Sequence, residues 1–316
     1  MRIIVFGTGP FCVPTLTALD ESNHEVVAVV TRPIEDAGKR RKTVANPVRE
    51  AAEQAGIEIL APASCNGEQF IEKLATLNAD LFFVCDYGQI MSKACLAQGR
   101  LGGINLHGSL LPKYRGAAPV QWAVYHGEPE SGVTVIHMTP RLDAGPSLVQ
   151  LSTPIEPREN SEQLEARLSK LGVDAVRKSI DMLADWDGDS PIGEIQDSAL
   201  VSKAPRLKKA DGKLDWNRSA KQLTDQIRAF TPWPTSYCEW KYGKQPLRLI
   251  VHEASVMQIE TDAPAGTIVA TDKKLLAIQT SEHALAIEKI QPAGKKMMQV
   301  ADFLRGSALQ VGQLME

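Results

Sequence analysis

The chain has 316 residues, 43% of them hydrophobic and 23% charged, with a formal net charge of −3. That length suits two domains, or one large domain with an appendage, and the composition excludes a fibre or a disordered chain. The negative balance excludes wholesale nucleic-acid binding but allows a local basic face.

No apolar run approaches the roughly 18 residues that a membrane helix needs. The N-terminal residues 1–6 run straight into a Gly-rich turn and lack the apolar core of a signal peptide. A cytoplasmic protein without membrane association is expected. The five cysteines (Cys12, Cys65, Cys85, Cys95 and Cys238) are scattered, odd in number and free of any C-x-x-C pair. Reduced thiols fit that pattern. No Cys/His cluster has ligand spacing, so no metal is expected.

In chain order, residues 2–6 read as a short apolar strand entering the turn Gly7-Thr8-Gly9-Pro10. Residues 13–19 can form a helix and residues 25–31 a second strand. Residues 47–55 are helical and end at Gly56. Residues 80–85 and 103–107 form two more strands. This βαβα rhythm with apolar, non-alternating strands predicts a mostly parallel sheet covered on both faces. Strands at 131–138 and 147–153 flank a loop at a sheet edge. A long amphipathic helix spans 160–183, with Leu164, Leu168, Leu171, Ala175 and Ile180 on one face. Asn160 is its N-cap, with Gln163 three residues on.

Residues 187–211 are rich in Gly, Asp, Ser, Pro and Lys and read as a linker. A short helix follows at 220–230. Strands at 236–241, 247–255, 266–270, 275–279 and 285–290 then predict a small β-barrel. The expected fold class is therefore α/β: a mostly parallel, Rossmann-like sheet with flanking helices, then a smaller C-terminal barrel of OB-like kind. The expected boundaries are 1–188, a linker at 189–209, and 210–316.

Several segments have residue types that suit chemistry. Gly7-Thr8-Gly9 begins like a dinucleotide fingerprint, but Cys12 stands where the third glycine belongs, and Thr31-Arg32 replaces the acidic residue after the second strand. A tight turn needing positive φ is the better reading. Asn105 and His107 end a buried strand, and alternation puts them on one side. An amide and an imidazole at the carboxyl end of a strand suit acyl transfer. Both can donate to a developing oxyanion, or the histidine can relay a proton. Asp143, in the loop Leu142-Asp143-Ala144-Gly145, either makes an Asx turn or, brought to His107, orients the imidazole.

Arg32, Lys39, Arg40, Arg41 and Lys42 lie in a polar connection after the second strand. It reads as a solvated loop or as a phosphate-binding one. Between Lys203 and Arg248 eleven Lys/Arg face four Asp/Glu, a balance of +7 that leaves −10 elsewhere. Trp216, Phe230, Trp233, Tyr237, Trp240 and Tyr242 interleave with these charges. Basic residues with aromatics suit RNA binding; tryptophans packing the seam between the domains, with the charges facing water, suit the pattern equally.

The run Asn105-Leu106-His107-Gly108-Ser109-Leu110-Leu111-Pro112-Lys113-Tyr114-Arg115-Gly116-Ala117-Ala118-Pro119 resembles the signature of folate-dependent formyltransferases. Leu142-Asp143-Ala144-Gly145 is similar to that family's catalytic aspartate loop, and Phe6-Gly7-Thr8 with Phe11-Cys12-Val13-Pro14 to its N-terminal turn. Tyr87-Gly88-Gln89-Ile90 resembles its folate loop. Ala204-Pro205-Arg206-Leu207, Asp211-Gly212-Lys213-Leu214-Asp215-Trp216, Gln226-Ile227-Arg228-Ala229-Phe230, Pro232-Trp233-Pro234 and Ile290-Gln291-Pro292-Ala293-Gly294-Lys295-Lys296 extend the likeness through the C-terminal half.

The resemblance implies catalysis by Asn105, His107 and Asp143. It implies 10-formyltetrahydrofolate as the formyl donor, held by Tyr87, Gly88, Gln89, Ile90, Ser109, Leu110, Leu111 and Pro112. It implies initiator methionyl-tRNA as the acceptor, met by Arg32, Lys39, Arg40, Arg41, Lys42, Lys208 and Lys209. The alternative acceptor is a nucleotide-linked amino sugar. A monomer suffices for either. Three positions depart from the family pattern: Asp86 stands where alanine is usual, Arg141 where glycine is usual, and Pro146 where aspartate is common.

Overall fold

The computed structural model describes residues 1–34, 46–242, 245–259 and 261–316. They form two compact units. The first comprises Met1–Pro119, Glu130–Pro154 and Glu165–Pro205; the second comprises Val120–Pro129, Ile155–Leu164 and Arg206–Glu316.

In chain order the first elements are β1 (Arg2–Gly7), α1 (Val13–Asp20), β2 (Glu25–Val30), α2 (Pro47–Ala55), β3 (Ile59–Leu60), α3 (Glu68–Thr76), β4 (Leu81–Cys85), α4 (Lys93–Leu96) and β5 (Gly103–His107). There follow β6 (Arg115–Gly116), α5 (Pro119–Tyr125), β7 (Glu130–His137), β8 (Ser147–Pro154), α6 (Ser161–Ala184) and β9 (Lys203–Ala204). The main sheet has the order β3-β2-β1-β4-β5-β7-β8. Its first five strands are parallel, and β7 and β8 add antiparallel.

Strand β1 lies inside the sheet between β2 and β4, and Ile3, Ile4, Val5 and Phe6 are all fully buried. Alternating residues point to opposite faces, so both faces are covered, as the unbroken apolar run predicts. On one face Ile4 and Phe6 pack with Ala28, Val30, Phe82 and Val84. From β1 the chain runs outward through β2 and β3, then returns to the other side for β4 and β5. The loops leaving β1 and β4 therefore diverge, and such a switch point opens a crevice at the carboxyl ends of the strands.

Local signals set the helices. The Asn46 side chain accepts from the Arg49 amide at 3.1 Å and Pro47 occupies the first turn of α2, the expected start signals. Asn160 and Gln163 cap one another at the start of α6, with reciprocal bonds of 3.0 and 2.9 Å, as a capping box requires. The two-residue strand β9 pairs parallel with β6, so residues 203–204 are tied to the first unit.

In the second unit come α7 (Ala220–Ala229), β10 (Ser236–Tyr242), β11 (Gln245–Met257), β12 (Ile268–Thr271), β13 (Leu276–Gln279), β14 (Ala284–Pro292), β15 (Met298–Gln299) and α8 (Val300–Leu304). The strands form an antiparallel sheet of order β10-β11-β14-β13-β12, with β15 beside β14. The sheet curls, and residues 312–316 reach both its edges. The Met315 amide donates to the Gly266 carbonyl at 2.8 Å, and the Glu316 amide to Glu239 at 2.8 Å. That strap closes a small barrel around Leu249, Val251, Ile268, Ile278 and Leu285, with Leu223 and Ile227 of α7 over the core.

The interleaved aromatics divide. Trp216, Phe230 and Trp240 are buried in this unit, and Trp216 and Trp240 lie in its own core. Tyr237 lies under the Arg248 guanidinium at 3.4 Å, and Trp233 is exposed. Among the described residues no helix is long and apolar enough to cross a membrane, and no cluster of His, Cys, Asp and Glu could hold a metal. All five cysteines are free and buried.

One ion pair in the second unit is expected to be costly to break. Asp225 is buried and accepts from Arg228 Nε and Nη2 at 3.0 and 2.9 Å, while its other partner, Lys221, is largely exposed. Arg228→Ala leaves a buried carboxylate with only a solvated lysine and should cost about 3 kcal/mol. Urea unfolding measures this; an unchanged midpoint would show the pair to be unimportant.

Candidate active site

The site begins at the end of β5. The His107 ring is buried, and its Nε2 lies 2.9 Å from the Tyr114 carbonyl. A carbonyl only accepts, so Nε2 carries a proton and donates it. The other nitrogen, Nδ1, lies 3.9 Å from Asp143 Oδ2, with both side chains less than a tenth exposed. That is too long for a hydrogen bond but close for a charge pair. The Nδ1 edge is therefore the free edge of the ring, with a carboxylate beside it. Asn105 shares the side of β5 occupied by His107, as alternation predicts. Its side chain is half-buried and makes no hydrogen bond among the described residues.

Asp143 sits in the loop joining β7 to β8, with its backbone at φ +49°. Asp143 Oδ2 also accepts from the Gly116 amide at 2.9 Å. The loop is pinned twice. Its base closes through the His137 amide, which donates to the Pro146 carbonyl at 2.9 Å. Its crown is held by Gln196, whose amide nitrogen donates to the carbonyls of Asp143 and Gly145 at 2.9 and 2.7 Å. The Gln196 oxygen accepts from Arg115 Nε and Nη2 at 3.1 and 2.6 Å. Sequence reasoning missed Gln196 and the tether at Arg115. Gln196 lies in a stretch that reads as polar linker, and nothing local marks it.

The segment after His107 is equally fixed. Thr134 Oγ1 donates to the Ser109 carbonyl at 2.7 Å and accepts from the Leu111 amide at 3.0 Å. Gln150 donates to the Leu111 carbonyl at 2.9 Å, and the Leu111-Pro112 bond is cis. Ser109 is fully buried, with its hydroxyl on the Lys113 carbonyl at 2.7 Å. Leu110 is partly exposed.

Following β4, Tyr87 turns inward and packs edge-on against Phe6, with ring centroids 5.3 Å apart. The next residues are clamped from outside. Gln89 accepts from the Cys65 amide at 2.9 Å, and Asn66 donates to the Ile90 carbonyl at 2.8 Å. Beneath them the Cys65 and Cys95 thiols pair. The hydrogen bond from Cys95 draws the Cys65 thiol below its usual range and raises Cys95 in return, burial adding to the rise. Gly88 and Ile90 face outward. Among the described residues the amides of Gly88, Gln89 and Ile90 have no hydrogen-bond acceptor. Free donors beside an exposed apolar side chain are what a flat, polar-edged ligand needs.

The Gly7-Thr8-Gly9 turn differs from expectation. Gly9 has φ −84°, so positive φ is not the reason for glycine there. Close approach is: a Cβ on Gly7 would lie 2.6 Å from Cys12 Sγ, and one on Gly9 2.6 Å from Asp86 Oδ2. Of the basic residues singled out, Arg32, Lys208 and Lys209 are exposed. Lys39, Arg40, Arg41 and Lys42 lie outside the described residues.

Comparison with known proteins gives a consistent result. The family profile described as formyl transferase matches residues 1–180, and its C-terminal domain profile matches residues 206–308. The methionyl-tRNA formyltransferase of Rhodopirellula baltica is 44% identical, the match covering 99% of this chain and 96% of that protein. The protein of the same name from Hydrogenovibrio crunogenus is 40% identical over 98% of this chain and 97% of its own length. Among solved structures, a sugar 3N-formyl transferase superposes with a TM-score of 0.65 at 18% identity, over 94% of this chain and 99% of that one.

Proposed function

The chain belongs to the formyl transferase family, and from that premise we propose that it transfers the formyl group of 10-formyltetrahydrofolate to the α-amine of methionyl-initiator-tRNA in the cytoplasm. The observation that carries the acceptor assignment is the 44% identity, across both units, to a methionyl-tRNA formyltransferase. The catalytic portion is residues 1–188, joined through 189–209 to a tRNA-binding portion at 210–316.

The residues present fit a reduced folate. Its flat ring finds the free amides of Gly88, Gln89 and Ile90, the apolar Ile90, and the rigid segment Ser109, Leu110, Leu111 and Pro112, with Tyr87 anchoring the loop. When bound, it supplies the formyl group. Asn105 donates to the formyl oxygen as negative charge develops there. His107, when Nδ1 also carries a proton, donates from it to the same oxygen, since Nε2 is already given to the Tyr114 carbonyl. Asp143 stabilises the imidazolium and keeps its ring edge in place; it accepts, through water, the proton that the amine loses on bonding to the formyl carbon, and that proton passes to N10 of the folate as its bond to the formyl carbon breaks. Preformed loops hold these groups before substrate arrives, so little ordering remains for the reaction step.

Gln196 is a positioning residue in this scheme. Gln196→Ala frees the crown of the Asp143 loop and should lower kcat about tenfold, the order expected for losing buried hydrogen bonds. The KM for folate should stay near wild type. Steady-state kinetics would show this, and a wild-type kcat would remove Gln196 from the scheme.

Arg32, Lys39, Arg40, Arg41, Lys42, Lys208 and Lys209 contact tRNA phosphates, so the KM for tRNA rises steeply with salt. The deciding assay incubates the protein with 10-formyltetrahydrofolate and Met-charged initiator tRNA, beside Met-charged elongator tRNA. Rapid, initiator-selective, salt-sensitive formylation is expected. If folded, folate-binding protein left the aminoacyl-tRNA unformylated, the tRNA assignment would fall, and formylation of a nucleotide-linked amino sugar would replace it.

A further inference from the structure

At the carboxyl ends of the three central strands, three polar residues stand level. Gly7 pairs with Cys85, and Val84 with Asn105. Extending those registers by one and two residues sets Thr8, Asp86 and His107 level, on strands roughly 4.8 Å apart. Asp86 holds the middle place, at the switch point between β1 and β4. Its backbone is left-handed, with φ +51°, a conformation that a residue with a Cβ adopts at a cost. The bend aims its carboxylate at the Gly7-Thr8-Gly9 turn, where only glycine leaves room at position 9.

Among the described residues no hydrogen bond or ion pair ends on this carboxylate. The residue is exposed to solvent, with protein crowding its carboxyl group. Desolvation pushes its carboxyl above the usual range, and the charge of His107 opposes that rise. An unpartnered carboxylate in a crevice, beside an ionisable ring, is a candidate for ligand contact.

The chemistry of the two substrates says which ligand. A folate carries carboxylates and a tRNA carries phosphates, and Asp86 repels both. The aminoacyl end brings one cation, its α-ammonium. We propose that Asp86 docks the α-ammonium of the acceptor and so selects an aminoacylated end over one without an amine. This rests on the methionyl-tRNA reading above. Asp86 lies one strand from His107, so an amine held there waits beside the oxyanion-stabilising groups. Asp143 remains the group that receives the proton.

The test compares binding of two esters to the whole protein: Met-charged initiator tRNA, and the same tRNA after nitrous acid has replaced the amine by a hydroxyl. Competition binding without folate should show the wild type preferring the amine roughly tenfold, the scale of a charge-assisted bond. In Asp86→Asn and Asp86→Ala the preference should fall to about unity, with hydroxyl-ester and folate binding unchanged. A preference that survives in either folded variant overturns the proposal. So does a wild type without preference, a result that needs no variant. Formylation of Met-tRNA by the wild type is the companion measurement: its failure sinks the functional reading and this inference with it, whereas success with an unchanged preference in the variants sinks this inference alone.

Discussion

His107→Ala lowers turnover by at least about 100-fold, the loss expected for one oxyanion donor or one acid–base group. The reason lies in how the ring is held. Nε2 is spent on the Tyr114 carbonyl, so the free edge is Nδ1, and Asp143 stands 3.9 Å from it. In the proposed scheme alanine removes one of the two donors to the formyl oxygen. Asn105→Ala should cost a similar factor, because its amide has no structural hydrogen bond to lose. Asp143→Asn keeps an acceptor for the Gly116 amide but removes the charge, and should fall as far. Single-turnover rates at saturating folate and tRNA measure all three. A rate within about threefold of wild type in any of them would take that residue out of the reaction step.

Gly145→Ala is expected to be nearly as damaging without touching a reacting group. A methyl there would lie 1.8 Å from the His137 carbonyl oxygen. That atom is backbone in β7 and cannot swing aside, so the loop must move. Asp143 is two residues away, and the Gln196 bonds to Asp143 and Gly145 are set to the present path. A displacement near 1 Å at a reacting group is enough to cost about 100-fold, and overpacking should take about 1–3 kcal/mol from stability. Paired measurements of kcat and the urea midpoint check both. A variant with wild-type kcat would mean that the loop does not position Asp143.

The sheet was legible because its signals are local. Strand β5 is an apolar run that starts at glycine and ends at a polar pair, and its bounds match the sequence reading. Helix α2 carries its own start and stop in Asn46, Pro47 and Gly56. Helix α3, with Phe70, Ile71 and Leu74 on one side, went unread because nine residues give a weak period between two loops. Strands β6 and β9 have two residues each, and no periodicity exists in two residues. The pair Asn105 and His107 was readable from strand alternation. Its meeting with Asp143 was not, since 36 positions separate the partners and only the hairpin return of β7 and β8 joins them. Gln196 is further still. The aromatic interleaving between residues 216 and 242 suited two readings. Trp216, Phe230 and Trp240 are buried, Trp216 and Trp240 in the core of the second unit itself, a property that composition does not encode.

The second unit is assembled from three separate stretches of chain, with residues 120–129 and 155–164 supplied from within the sequence of the first. On a ribosome this order has a price in waiting time. Tyr125 emerges about a hundred residues ahead of its stacking partner Phe230, 5.3 Å away in the finished fold, and ahead of Arg218, which lies over its ring. Trp122 waits for Phe230 too. Until then these rings are unsheltered apolar surface on a growing chain, the kind of surface that invites aggregation and chaperone capture. Contacts so distant in sequence also close large loops before they give any return. Slow synthesis between codons 125 and 230 should therefore lower the soluble yield of this protein more than slow synthesis after it.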